Sequence, residues 1–144
     1  MVKLPLVLGT QGQIQCLQPG DSISAAAQFS ATNGDVTGHN AGTFVYISSA
    51  TTVQAAVANS AVTAKAVAVS TGTVAPSGLG SYQTDGIVGG LTGIVPGSTY
   101  FLSPTTAGAY TTTAPSANGQ WCLPVGTGYS TTEIEIAFGV PVQL

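Results

Sequence analysis

The chain has 144 residues, the size of one compact domain, and only 5% of them are charged, against roughly 25% in ordinary soluble domains. Lys3 and Lys65 stand against Asp21, Asp35, Asp85, Glu133 and Glu135, with no arginine and a net charge of −3. Contacts with nucleic acid or with an anionic membrane need clustered basic residues, so neither partner is expected.

From the N-terminus, Met1-Val2-Lys3-Leu4-Pro5-Leu6 opens like a secretion signal. The apolar run stops at Gly9 and contains Pro5, too short and too broken for an h-region, so synthesis in a cytosol is expected. Val2 to Leu8 reads as a short apolar strand, followed by a glutamine-rich piece (Gln11, Gln13, Gln15, Gln18) and a polar stretch through Asn33-Gly34-Asp35. Residues Asp21 to Phe29 fit either a short helix capped by Asp21 or Ser22, or an extended arm. The first forty residues offer no core of their own. They are therefore expected to form an arm (1–40) lying on a partner, ahead of a β-rich domain (41–144).

Strand signals dominate the rest. Thr43-Phe44-Val45-Tyr46-Ile47 is dense in β-formers, and Val62 to Val69 alternates apolar positions, with Lys65 on the face of Val67 and Val69 and needing an escape to solvent. Thr99-Tyr100-Phe101-Leu102 and Ala109 to Thr113 flank a loop holding Pro104 and Gly108, the pattern of a hairpin. Asn118-Gly119 is a turn before Gln120 to Val125. In Glu133 to Phe138 the residues Ile134, Ile136 and Phe138 share one face, and Glu133 and Glu135 the other. Short strands separated by turns predict an all-β fold, a small β-barrel or a jelly-roll-like β-sandwich. Without a secretion signal, Cys16 and Cys122 are expected to be free, buried thiols.

Catalytic chemistry finds little to work with. Glu133 and Glu135 lack neighbouring charges to set their protonation apart, and a solvated edge accounts for them. His39, the single histidine, sits in the turn-like Gly38-His39-Asn40-Ala41-Gly42 with no nucleophile elbow elsewhere, and reads as a loop residue. The glycines from Gly86 to Gly93 lack the Lys-Ser/Thr of a phosphate loop and read as turns. Asp21, Asp35 and Asp85 are scattered, so no calcium site is expected within one chain. Most aromatics read as core, with Tyr82 and Tyr129 as loop positions able to stack on a sugar. No enzyme activity, cofactor or metal is expected.

Two stretches carry a resemblance. Leu4-Pro5-Leu6-Val7-Leu8-Gly9-Thr10 through Leu17-Gln18-Pro19-Gly20-Asp21 is similar to the opening of many phage virion proteins. The second stretch starts at Ala41-Gly42-Thr43-Phe44-Val45-Tyr46 and passes through Val67-Ala68-Val69 and Asp85-Gly86-Ile87-Val88. Its sharpest part is Gly90 to Leu102, and it ends at Leu123 to Glu133. It resembles the β-domain of tailed-bacteriophage capsid decoration (cement) and head-fibre proteins, with Ala68 where that pattern often has glycine. The resemblance implies a homo-oligomer, usually a trimer, bound to the major capsid protein on the outer surface of a virion, where it stabilises the shell. Val2, Leu4, Leu6 and Leu8 are the expected capsid- or partner-binding residues of the arm. The alternative is a tail- or head-fibre component that recognises a host-surface glycan.

Overall fold

A computed structural model describes Leu6–Leu8, Ile14–Cys16 and residues 27–144. Strands β1 (Leu6–Leu8) and β2 (Ile14–Cys16) form an antiparallel pair. Strands β3 (Gln28–Asn33), β4 (Phe44–Ser49), β5 (Thr52–Ala55), β6 (Ala68–Ser70) and β7 (Leu79–Gln83) close a barrel in the order β3-β5-β4-β6-β7. The chain continues through β8 (Gly86–Val88), β9 (Thr99–Leu102), β10 (Tyr110–Thr111), β11 (Trp121–Cys122), β12 (Pro124–Gly128), β13 (Ile134–Ile136) and β14 (Val142–Gln143). These strands make an antiparallel sheet in the order β10-β9-β12-β13-β8, plus a separate β11-β14 pair. The fold is all-β and built on a closed barrel. Closure comes from one parallel contact, where β3 meets β5 at Thr32 and Asn33.

Two cores share the central strands. Ala31, Val45, Val53, Ala68, Val74 and Tyr82 fill the barrel. Phe44, Val69, Leu102, Leu123, Val125, Ile134 and Ile136 belong to a larger core between barrel and sheet. Successive side chains on a strand point to opposite faces. Val45 therefore enters the barrel while Phe44 and Tyr46 face the sheet, and Ala68 and Val69 divide in the same way. A strand buried on both faces needs a near-continuous apolar run, which explains the density of Phe44-Val45-Tyr46. Full burial of side chains such as Phe44, Leu102 and Ile134 stabilises the fold by about 1.5–3 kcal/mol each.

Several expectations change. Strand β3 pairs with β7 from Gln28 to Thr32 and closes the barrel, so residues 28–40 belong to the β-domain, not to the arm. Gln28 and Phe29 are strand residues and exclude a helix there; Asp21 to Ala26 lie outside the described residues. The expected strand from Val62 to Val69 is a turn followed by a shorter β6. Thr63 donates its hydroxyl to the Val57 carbonyl and the Ala64 amide bonds back to the Ser60 carbonyl, local bonds that divert the backbone from a sheet. Lys65 is exposed, as its charge requires. Pairing of β9 with β10 joins Tyr110 to Leu102 and Thr111 to Phe101, the expected hairpin. Ile134 and Ile136 are buried and Phe138 packs on the same core, as their alternation predicts.

Candidate functional site

The ionisable side chains among the described residues do not converge on a cleft. No three His, Cys, Asp or Glu side chains come together there as metal ligands. Glu133 accepts the Ser130 hydroxyl at 2.8 Å and is tied into its own turn, while Glu135 points to solvent from β13. Asp85 accepts the Ala27 amide at 2.8 Å and fixes the entry into β3. Cys122 is a free thiol and half-buried, not buried. Gly86, Gly90, Gly93 and Gly97 all have positive φ, consistent with turns. In the turn Val95-Pro96-Gly97-Ser98 the Ser98 amide reaches the Val95 carbonyl and feeds β9.

His39 is not a loop histidine. It is 1% exposed and bridges to Val74, closing one end of the barrel. Its Nδ1 lies 2.9 Å from the Tyr82 hydroxyl and its Nε2 lies 2.9 Å from Asp35 Oδ2. The same Asp35 oxygen accepts the Ala55 amide at 2.7 Å. Beside them, the buried Asn33 donates to the carbonyls of Thr37, Val74 and Ala75 and accepts the Asp35 amide. Tyr82 is therefore barrel core, and burial, with the Asp35 charge adding to it, raises its hydroxyl pKa above the usual value. The cluster is enclosed and every polar atom in it is partnered, so it holds loop 34–39 to the barrel and offers no group to a substrate.

What remains is surface. Residues 27–144 carry five charged side chains, Asp35, Lys65, Asp85, Glu133 and Glu135. Large apolar side chains stand in solvent among them: Val36, Leu79 and Val140 are 95%, 75% and 78% exposed. Val140, Val142 and Leu144 alternate along the C-terminal strand, and all three are exposed. Strand β14 pairs only with β11, so this apolar strip borders an open edge. On another side, a depression of about 310 Å³ is lined by the hydroxyl-bearing Ser103, Thr105, Thr111, Thr113 and Ser116 and by Gln120. Tyr129 is exposed but does not line it. Of the arm residues, Leu6 and Leu8 lie in β1, and Val2 and Leu4 lie outside the described residues. Compared with known proteins, the chain matches no family model, no curated protein and no solved structure.

Proposed function

We propose that this chain is a non-catalytic virion protein of a tailed bacteriophage, a decoration protein that binds the outside of the capsid and stabilises the shell. The observation that carries the reading is the surface: five charges across residues 27–144, with large apolar side chains exposed between them. A protein that works free in solution usually relies on mixed surface charge for solubility. Exposed apolar residues next to an open strand edge are the usual sign of a surface meant to be covered. Copies of the chain, in a homo-oligomer such as a trimer, and neighbouring capsid subunits supply that cover. The arm carrying Val2, Leu4, Leu6 and Leu8 is the attachment element, since an extended apolar segment gains main-chain bonds by adding to another sheet. Stabilisation is mechanical, because a contact that spans a joint between capsid subunits opposes its opening.

A second reading, recognition of a host-surface glycan, draws on the hydroxyl-lined depression beside β10. Hydroxyl and amide groups suit sugar hydroxyls, although no aromatic ring lines the depression to stack on a pyranose. Quantitative mass spectrometry of purified virions separates the two readings. A copy number equal to that of the major capsid protein, or a simple fraction of it, is the expected result. A far smaller number places the chain at a tail or unique vertex and replaces decoration with glycan recognition.

A further inference from the structure

The barrel is incomplete along one seam. Strand β3 bonds to β7 over its length, but it meets β5 only at Thr32 and Asn33. The Thr32 amide reaches the Thr51 carbonyl and the Gly34 amide reaches the Val53 carbonyl, whereas the Asn33 amide points the other way, to Gly78. Backbone groups alternate direction along a strand, so Ser30, two residues before Thr32, turns its N–H and C=O into the seam. Among the described residues no strand stands there to receive them. In their place is a groove of about 220 Å³, walled by Phe29, Ala31, Ile47 and Val53. Thr51, at its lip, holds φ at 60°, a conformation costly for a branched residue. Ile47, on the opposite wall, is 59% exposed.

We infer that this seam is the docking site of β2 from the same chain, which adds to β3 as a sixth strand. Free N–H and C=O groups above an apolar floor suit an extended backbone better than a helix or a small molecule. Strand β2 is bonded on one side to β1, and its other edge has no partner in the two-stranded sheet. Two strands alone are marginal in water, and docking covers both open edges at once. Consecutive strands are neighbours about two-thirds of the time. Residues 17–26 link β2 to the start of β3 and contain Pro19-Gly20, a turn-forming pair. Ten such residues span at most about 33–36 Å, ample for a reversal and short enough to keep β2 near its own seam. Docked in this way, β2 leaves β1, with Leu6 and Leu8, as the outer strand. The inference concerns the isolated chain and does not depend on the proposed capsid role.

Residue-resolved amide hydrogen exchange on the full chain tests it. The Ser30 amide is expected to exchange at least about 100-fold more slowly than in Gln15→Pro, a variant that breaks β2 outside the barrel. The Val67 amide, bonded to the Val45 carbonyl inside the barrel, should keep its protection in both and so report that the variant is folded. A chain lacking residues 1–16 provides a second comparison. Free exchange at Ser30 in the full chain would overturn the inference, as would protection that survives both variants. Protection that grows with protein concentration would also overturn it, because the strand would then come from another copy.

Discussion

Asp35 does more for this fold than any other charged side chain. One of its oxygens receives both the buried His39 ring and the Ala55 amide, joining the loop after β3 to β5. In Asp35→Ala these two donors lose their partner, and an unsatisfied buried group costs about 1–3 kcal/mol. A loss of that size, read by chemical denaturation, is the expected result. Little of this arrangement is legible in the sequence. Asp35 and His39 are four residues apart, but Tyr82 comes from another strand 43 residues on. Nothing local distinguishes such a histidine from one in a solvated turn. Tyrosines give a second handle at this scale. Burial raises the Tyr110 hydroxyl above its usual value near 10, with the neighbouring Tyr100 adding to the effect, and Tyr82 is raised as well. Below pH 10 these hydroxyls are neutral in both folded and unfolded chains, and stability is at its full value. Above pH 10 the unfolded chain loses its protons first, so stability falls as pH climbs through the raised values. Tyr110→Phe keeps the edge-on packing against Phe44 and Tyr100 and should make that alkaline fall shallower. Melting temperatures from pH 7 to 11 check this.

At the scale of elements, legibility followed how local each strand's pairing is. The β9–β10 hairpin and the alternation of β13 depend on neighbours in sequence and on one buried face, and both stand out in the residues. Strand β3 does not, because Gln28-Phe29-Ser30-Ala31-Thr32-Asn33 is polar enough to pass for an arm and its partners lie at Thr52 and Leu79. Strand β12 hides a different demand. Gly126 sits at a register shift between β12 and β9, where the Glu135 carbonyl of β13 crowds the place a Cβ would take. That carbonyl belongs to a paired strand and has no free direction to move. Gly126→Ala should therefore destabilise by about 1–3 kcal/mol, the range for overpacking a tight interior. Thermal unfolding measures the loss, and a variant as stable as the parent would mean that the β12–β13 contact is looser than the backbone geometry requires.

For the whole molecule the governing fact is how little charge the surface carries, a property plain in the composition although the location of the apolar side chains is not. Val140, Val142 and Leu144 form a strip only because β14 lies along β11 with its other edge open. If that strip is an assembly contact, a charge placed in it should hurt assembly and spare the fold. Val142 is 56% exposed and supports neither core cluster, so Val142→Lys is expected to change unfolding free energy by no more than about 0.5 kcal/mol. On an open edge, however, a lysine ammonium must be desolvated before another strand or an apolar capsid face can approach. Weaker self-association in sedimentation, or weaker binding to purified shells, is the expected result at unchanged melting temperature. Assembly that proceeds as before in Val142→Lys would move the contact surface away from β14, towards the apolar residues at the barrel end, Val36 and Leu79, or to the arm.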